Sequence, residues 1–382
     1  MKYVFRNRFY KFLAFLIDSI GRIVFLPFNI FKKKKPGNVG KILLIRLDHI
    51  GDLIYSTPIP QNLKAHYRGG KITFLVASWA KEIVINNPYV DEVICYEAPW
   101  FNRAKKKIFD FKSFFNLAKE LRRHDYDLGF DLRGDIRHIL LMLLGGVKFR
   151  VGYGITGGGF MLHRQAKYTE GAHAIGHNLD LLRSMGINVA TYKPKVYPSQ
   201  KDEFNIRTFF EKNNLTNKDF IVTIHPHAGY PANKWMDERF VESIDLLNHR
   251  YNTRTILVGS EKDKASNDKI IEKVKAPAIN YAGKTSLGGL TALLERSTLF
   301  VGVNSGPSHL AASVGVPMVV LYSGANTMQD WAPRSDKAIV IQKEIACKDC
   351  EQLDCKDNIC MDLITIDDLL DAVDKIFAGV KL

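Results

Sequence analysis

Two series of short apolar segments, each separated by helical stretches, constrain this chain more than any other feature. The first series predicts strands at residues 42–47, 72–76, 92–96 and 127–132, and the second at residues 220–225, 255–258, 298–303 and 318–322. Segments that are apolar nearly throughout are typical of parallel sheets buried on both faces. The pattern therefore predicts an α/β protein with two doubly wound, Rossmann-like domains.

A less regular stretch around Pro194 and Pro198 separates the two series. We therefore predict three regions: a basic amphipathic segment (1–37), an N-terminal α/β domain (38–200) and a C-terminal α/β domain (201–382). The last region includes a cysteine-rich loop (347–360) and a terminal helix (367–378).

The positive charge of the chain is segregated. Its 382 residues include 54 Lys and Arg against 40 Asp and Glu, a net charge of +14. Residues 1–37 contain nine basic residues and one acid, and residues 102–124 contain eight and two, so these two segments carry the whole excess. A nucleic-acid-binding fold usually spreads its basic residues over the binding face. We therefore expect no nucleic-acid partner.

The first basic segment is also strongly apolar. Lys11, Asp18, Arg22 and Asn29 fall on one stripe of a predicted helix, apolar side chains cover the rest, and four lysines follow at 32–35. This pattern favours a helix lying on an anionic membrane surface. A spanning anchor and a helix that packs on the protein remain alternatives. In each case the lysine run predicts that the following domains stay in the cytosol.

The second basic segment, residues 105–123, interleaves phenylalanines and leucines with lysines and arginines. One interpretation is an amphipathic helix that packs on a core and exposes its charged face. The alternative is a second contact with lipid headgroups or with an anionic substrate.

Polar residues follow the first predicted strand, in the sequence Arg46-Leu47-Asp48-His49-Ile50-Gly51-Asp52. In open α/β sheets ligands bind at the carboxyl ends of strands. Gly51 allows a tight turn, and Asp52 lies near the start of the next helix. Asp52 is therefore either a helix-capping carboxylate or a general base.

A comparable turn in the second domain reads Val303-Asn304-Ser305-Gly306-Pro307-Ser308-His309-Leu310. Asn304 or Ser305 can cap the helix, and its free N–H groups together with Ser308 and His309 could bind an anion such as a phosphate. A well-capped core helix is the alternative. Two polar turns able to face a shared cleft favour a nucleotide-type ligand. Lys234, on a loop after the strand at 220–225, could stabilise a leaving phosphate or be a surface lysine.

The string Gly152-Tyr153-Gly154-Ile155-Thr156-Gly157 fits G-x-G-x-x-G, but no helical pattern follows, so we interpret it as a glycine-rich loop and not as an NAD site.

Four cysteines have the spacing of a zinc knuckle that lacks its histidine. They predict a structural zinc site, with free thiols or a disulfide pair as alternatives: Cys347, Cys350, Cys355 and Cys360.

The ordered set of motifs resembles glycosyltransferase family 9, the lipopolysaccharide heptosyltransferases and their relatives. The resemblance rests on the Asp48–Asp52 turn with Thr57-Pro58, on Lys234-Trp235 with Glu238-Arg239-Phe240, and on residues 303–311. It implies a GT-B fold, with two Rossmann-like domains facing an interdomain cleft, acceptor domain first. It also implies inverting, metal-independent transfer from ADP-heptose to a lipopolysaccharide core sugar, with no cofactor required for catalysis.

The resemblance also implies roles for single residues. Asp52 matches the catalytic base and Lys234 resembles the lysine that stabilises the donor diphosphate. The diphosphate-binding turn matches Asn304, Ser305, Gly306, Ser308 and His309. Three positions depart from the family pattern: Asn304 stands in place of Asp, Asn233 in place of the family lysine, and Gly288-Gly289 where some members have a ribose-binding acid.

We therefore expect a glycosyltransferase whose partners are a nucleotide sugar, an anionic glycolipid acceptor and the inner-membrane surface. It would be peripheral on the cytoplasmic face. The alternatives are another GT-B sugar transferase, a nucleotide-sugar epimerase, or a non-catalytic, membrane-associated nucleotide-binding protein.

Overall fold

The chain divides into two units, Met1–Tyr192 and Lys193–Leu382. The computed structural model describes residues 3–5, 7–27, 34–101 and 110–378. The division falls a few residues before the boundary predicted at residue 200. Asn29, two of the four lysines at 32–35, and residues 105–109 of the second basic segment lie outside the described residues.

The described part of unit 1 contains six parallel strands, which are β1 (Lys41–Arg46), β2 (Lys71–Val76), β3 (Glu92–Cys95), β4 (Leu128–Asp131), β5 (Phe149–Gly152) and β6 (Arg164–Gln165). They are ordered β3-β2-β1-β4-β5-β6. The helices are α1 (Arg8–Val24), α2 (Ile50–Ile54), α3 (Pro58–His66), α4 (Phe111–His124), α5 (Ile136–Leu144) and α6 (Ala174–Ser184). Short 3-10 helices lie at Ser78–Ile83, Pro99–Phe101 and Gly159–Met161.

The described part of unit 2 repeats this plan, with β7 (Phe220–His225), β8 (Thr253–Leu257), β9 (Ala278–Asn280), β10 (Leu299–Val303), β11 (Met318–Leu321) and β12 (Ala338–Ile341) in the order β12-β11-β10-β7-β8-β9. Its helices are α7 (Gln200–Lys212), α8 (Asp237–Tyr251), α9 (Lys264–Ile271), α10 (Leu287–Glu295), α11 (Gly306–Val314), α12 (Met328–Trp331), α13 (Ile359–Asp362) and α14 (Ile366–Phe377). Short 3-10 helices lie at Pro231–Asn233 and Glu261–Asp263.

Each sheet has one point at which the strand order reverses. In unit 1 the chain builds outward from β1 to β3 and then returns to add β4 beside β1. In unit 2 the same reversal places β10 beside β7. The carboxyl ends of these paired strands form the crevice in which doubly wound folds bind ligands. The fold therefore marks one candidate site in each unit.

The prediction of two doubly wound domains is confirmed, and all eight predicted strands are present, β7 with its predicted bounds. The sequence patterns did not reveal four further strands, β5, β6, β9 and β12. Three of these, β6, β9 and β12, are the outermost strands of their sheets. Edge strands are short and only half covered, so they lack the continuous apolar pattern that identifies a central strand.

Helix α4 shows why the second basic segment folds as it does. Asp110 caps its start by accepting a hydrogen bond from the Ser113 N–H at 3.0 Å. Phe114, Leu117 and Leu121 recur at helical spacing and are buried in the core of unit 1. The interpretation as an amphipathic packing helix is therefore confirmed for the described residues. The predicted terminal helix is also confirmed, as α14.

Helix α1 is present where the sequence predicts a helix, and it packs on unit 1. Ala14, Asp18 and Gly21 are its buried residues. Asp18 is therefore turned into the protein, whereas the sequence alone suggested only that it shares a stripe with Lys11 and Arg22. Among the residues described, no helix is long and apolar enough to cross a membrane.

Candidate functional site

Asp52 lies at the strand reversal of unit 1, in the first turn of α2. Strand β1 ends at Arg46, and the following turn brings Asp48 and Asp52 back beside this arginine. The Arg46 Nε donates to Asp48 Oδ1 at 2.6 Å, and an Arg46 terminal nitrogen lies 2.9 Å from Asp52 Oδ1. The side chains of Arg46 and Asp52 are 8% and 7% exposed, so this ion pair is nearly out of solvent.

The two carboxylates of this turn have opposite electrostatic environments. Burial raises the pKa of Asp52 to about 6, and the negative charge of Asp48 adds to this effect against the opposing charges of Arg46 and Arg133. Burial also disfavours ionised Asp48, but the charges of Arg46 and Arg133 outweigh it and lower the pKa of Asp48. Asp48 therefore stays ionised, while Asp52 is suited to exchange a proton near neutral pH.

The neighbouring strand β4 contributes residues to the same crevice. The β1 residue Ile45 pairs with Asp131, the last residue of β4, and Arg133 reaches back to form an ion pair with Asp48. Asp131 Oδ1 lies 3.0 Å from His138 Nδ1, and both side chains are fully buried. Sequence reasoning treated this region only as a strand. The available signal was its run of charges directly after a buried strand, Asp131-Leu132-Arg133-Gly134-Asp135-Ile136-Arg137.

Two aromatic rings cover the arginines that follow β4. The guanidinium of Arg133 lies 4.4 Å from the ring centroid of Phe101, and that of Arg137 lies 4.6 Å from Trp100. Arg137 also donates to Asp135, which caps α5, and this pairing outweighs burial and lowers the pKa of Asp135 to about 2. These contacts hold Arg133 beside Asp48 and Arg137 beside Asp135.

The predicted anion-binding turn lies at the strand reversal of unit 2. Residues 304–309 run from the end of β10 into α11, whose first N–H groups have no acceptor within the helix. Ser305 is the N-cap residue, and Asn304, Ser305 and Gly306 are partly exposed. His309 is 8% exposed. Ser308 is fully buried, and its hydroxyl donates to the Ser305 carbonyl at 2.7 Å, so its side chain fixes the shape of the turn.

A histidine that sequence reasoning did not select completes this turn. His225 ends β7, pairs with Gly302 of β10, and places Nδ1 3.1 Å from the Ser305 hydroxyl. Burial, reinforced by the nearby His227, lowers the pKa of His225 to about 4. The imidazole is therefore neutral at pH 7. A Cβ at Gly302 would meet the Phe300 ring at 2.8 Å and the His225 carbonyl oxygen at 3.0 Å, which explains the glycine.

The loop after β7 places Lys234 at the surface. Its side chain is 53% exposed, and its ammonium lies 3.4 Å from Asp237. The adjacent Trp235 is a core residue whose indole N–H donates to the Ile364 carbonyl at 3.0 Å. Asn233, which replaces the family lysine, is buried and accepts hydrogen bonds from Ser323 and Asn326. The structure does not bring Lys234 into the hydrogen-bond network of residues 304–309.

The glycine that departs from the family pattern has a structural explanation. An added Cβ at Gly288 would lie 2.4 Å from the Asp202 carboxylate. Asp202 accepts from the hydroxyls of Ser199, at 2.6 Å, and of Ser286, at 2.9 Å, and thus connects the starts of α7 and α10. The carboxylate of Asp202, which belongs to α7, therefore lies next to Gly288 at the start of α10, the position where some family members have an acid.

The four clustered cysteines differ in their exposure. Cys347 is exposed, Cys350 and Cys355 are half-buried, and Cys360 is buried in the core of unit 2. All are free thiols. Over the described ranges, no group of three or more His, Cys, Asp or Glu side chains could hold a metal ion. Structural zinc at these cysteines stays a prediction, which metal analysis of the purified protein would test.

The fold and the two strand-end sites together define the class of the protein, which is a two-domain, doubly wound α/β protein with one candidate ligand site in each unit. Its family follows from the sequence. The chain belongs to glycosyltransferase family 9, because the model of that family, described as glycosyltransferase family 9 (heptosyltransferase), matches residues 114–359, more than half of the chain.

Comparisons with individual proteins agree with this assignment. Lipopolysaccharide heptosyltransferase 3 of Escherichia coli is 25% identical over 348 residues, which cover 85% of this chain and 96% of that protein. A family 9 glycosyl transferase from Veillonella parvula has a similar structure, with a TM-score of 0.76, 21% identity, and coverage of 90% of this chain and 99% of the other. The E. coli ADP-heptose lipopolysaccharide heptosyltransferase II gives a TM-score of 0.72, 21% identity, and coverage of 90% and 100%.

Proposed function

We propose that this protein transfers a heptose from ADP-heptose to the core of lipopolysaccharide, with inversion at the anomeric carbon. The observation that carries the proposal is Asp52, a buried carboxylate at the strand reversal of unit 1 whose pKa is raised to about 6. The donor and acceptor are those named for the related heptosyltransferases. The family assignment supports glycosyl transfer as the reaction class. The two strand-end sites support separate roles, with the base in unit 1 and donor binding in unit 2.

Asp52 is the general base in this proposal. With a pKa of about 6 it is mostly ionised at neutral pH and still basic enough to accept a proton. Arg46 engages Oδ1, so we assign proton transfer to Oδ2. The acceptor hydroxyl gives its proton to Asp52 as its oxygen bonds to the anomeric carbon of the heptose. The bond from that carbon to the diphosphate oxygen breaks, and ADP leaves with the electron pair.

The turn at residues 304–309 binds the donor diphosphate in this proposal. The free N–H groups at the start of α11 and the partial positive charge of that helix end favour an anion. Ser305 and His309 add hydrogen-bonding side chains at the same turn. We assign Lys234 as the cation that leaves Asp237 and pairs with the departing diphosphate, because its side chain is exposed. These groups stabilise the developing charge, and we assign that role to them without a metal cofactor.

The acceptor proposed here is an anionic membrane glycolipid. We therefore place the protein at the cytoplasmic face of the inner membrane, as a peripheral protein. The basic and apolar residues of the N-terminal segment support this placement.

The proposal is tested by product analysis with several donors. Purified full-length protein is incubated with truncated lipopolysaccharide core and with ADP-heptose, other ADP-sugars or UDP-sugars, and products are identified by mass spectrometry. We expect a heptose-sized mass increase and stoichiometric ADP release with ADP-heptose only. Transfer from a UDP-sugar, epimerisation of a free nucleotide sugar, or nucleotide binding without turnover would each replace the proposal by one of its alternatives.

A further inference from the structure

Helix α1 presents an apolar face to solvent. Its side chains are far more exposed than is usual for large apolar residues, with Phe12 at 63% and Ile23 at 74%. Soluble monomers rarely expose a continuous apolar surface of this kind without a partner. The apolar face comprises Phe9, Tyr10, Phe12, Leu13, Phe15, Leu16, Ile17, Ile20, Ile23 and Val24.

The opposite, narrow side of α1 is fixed to unit 1. Asp18 Oδ1 accepts a hydrogen bond from the Gly158 N–H at 2.6 Å, and Oδ2 accepts from the Tyr3 hydroxyl at 2.9 Å. Gly158 has a φ of +82°, a conformation that glycine adopts without strain. Gly21 lies against Phe160, where an added Cβ would be 2.3 Å from the ring. Residues 158–160, which directly follow the glycine-rich loop, are therefore the docking surface of α1.

This docking fixes the rotation of the helix. Turning the apolar face toward the protein would expose Asp18 and leave the buried Gly158 N–H without its acceptor, which is costly. The Phe25 and Phe160 rings, 5.1 Å apart, fix the end of the helix in the same orientation. These contacts therefore keep the apolar face of α1 pointing away from the rest of unit 1.

The charges around this face select its occupant. Asp18 is the only acidic residue among residues 1–37, and it is buried. Lys11 and Arg22 lie beside the docked stripe and are exposed, as are Lys34 and Lys35 after the helix. Among the described residues of this segment, the exposed charged side chains are thus all positive. A second copy of the chain would bring like charges together, whereas an anionic bilayer offers an apolar interior for the apolar face and negative headgroups for the basic side chains.

Helix α4 adds a second apolar and basic contact. Phe111 and Phe115 are exposed, one helical turn apart, and Lys112 and Lys119 are exposed beside them. The buried side of α4 packs into the core cluster that Phe25 and Phe160 also contact. Helix α4 and Phe25, the residue that follows α1, therefore pack against one core.

We propose that docked α1, supported by α4, is a preformed binding face for anionic bilayers that attaches unit 1 to the membrane in a fixed orientation. The inference rests on the proposed function in one respect, namely that the attached enzyme acts on a glycolipid acceptor in the membrane.

The first experiment measures sedimentation of the full-length protein with phosphatidylethanolamine vesicles, with and without phosphatidylglycerol. We expect binding that requires the anionic lipid and that weakens with salt. The double variant Phe12→Ser/Ile23→Ser should weaken binding at least about tenfold, because it removes two side chains that would enter the bilayer. The matched control is Ile85→Ser/Phe204→Ser, which removes the same residue types at 48% and 56% exposure elsewhere, and it should bind normally.

Equal vesicle binding by the two double variants would overturn the proposal. So would self-association without lipid that Phe12→Ser/Ile23→Ser abolishes, since that result would make a second copy the occupant. Turnover of detergent-dispersed glycolipid is measured in parallel. If it persists while vesicle binding is absent, the membrane inference alone fails. If vesicle binding is intact and no donor is turned over, the proposed function alone fails.

The second experiment tests the docking. Gly21→Leu should clash with Phe160 and release α1, so that limited proteolysis cuts between α1 and β1 more rapidly while thermal unfolding of the rest is retained. The control Ser19→Leu changes a half-buried position of the same helix that does not lie among its buried residues, and it should not increase cleavage. For the released helix we expect vesicle binding to persist and turnover of vesicle-embedded glycolipid to fall relative to detergent-dispersed glycolipid. An unchanged ratio would contradict the fixed orientation.

Discussion

A terminal nitrogen of Arg46 lies 2.9 Å from Oδ1 of Asp52, so the last residue of a buried strand holds the candidate base at the start of the next helix. The same guanidinium also binds Asp48. One arginine thereby pairs with two carboxylates, only one of which has a raised pKa. This arrangement leads to two predictions about unit 1.

Asp52→Asn should lower turnover by about 10²-fold or more, because a general base commonly contributes that much and an amide cannot accept the proton. ADP affinity should be nearly unchanged. Steady-state kinetics and calorimetry with ADP test this. Asp91→Asn, which alters an ion-paired carboxylate elsewhere in unit 1, is the control. Wild-type turnover in Asp52→Asn would remove Asp52 from the mechanism.

The pH profile should report the charges around Asp52. Because the base must be deprotonated, activity should rise through about pH 6. The charge of Asp48 raises the pKa of Asp52, so Asp48→Asn should move this rise to lower pH. The charge of Arg133 lowers that pKa, so Arg133→Met should move the rise to higher pH. Profiles of kcat/KM that shift in the same direction for both variants would be inconsistent with Asp52 as the titrating group.

His309→Ala should weaken ADP binding by the full-length protein. Loss of one charge-assisted contact typically costs about 1.5–3 kcal/mol, or about 10- to 150-fold in affinity. Asn304→Asp should leave binding largely intact, because both side chains can cap a helix. His249→Ala, at an exposed position of α8, is the control for calorimetry. Unchanged ADP affinity in His309→Ala would place the nucleotide elsewhere.

Lys234→Gln should lower kcat by about 10-fold or more with a smaller change in the donor KM, because a cation that meets the diphosphate as it leaves stabilises mainly the transition state. Lys273→Gln removes a comparably exposed, ion-paired lysine of unit 2 and should have no effect. Equal kinetics for both variants would leave Lys234 as a surface residue paired with Asp237.

The candidate site could be predicted from sequence where its residues are local. Asp52 and the turn at residues 304–309 follow recognisable strands, and strand ends are where α/β folds bind ligands. Asp131, Arg133, His138 and His225 could not be selected in this way. Arg133 and His225 gain their significance from partners that are distant in the chain, Asp48 for Arg133 and Ser305 for His225, and Asp131 and His138 from their burial beside each other, which the sequence does not show.

The sequence by itself determined the two-domain α/β plan, eight of the strands and the existence of α1, since these depend on apolar periodicity within short segments. Only the tertiary structure decided which side of α1 meets the protein. The sequence places Asp18 with Lys11 and Arg22, but the Gly158 N–H that binds Asp18 is 140 residues away. The raised pKa of Asp52 was decided in the same way, because burial and the charges of neighbouring side chains exist only after the strands have paired.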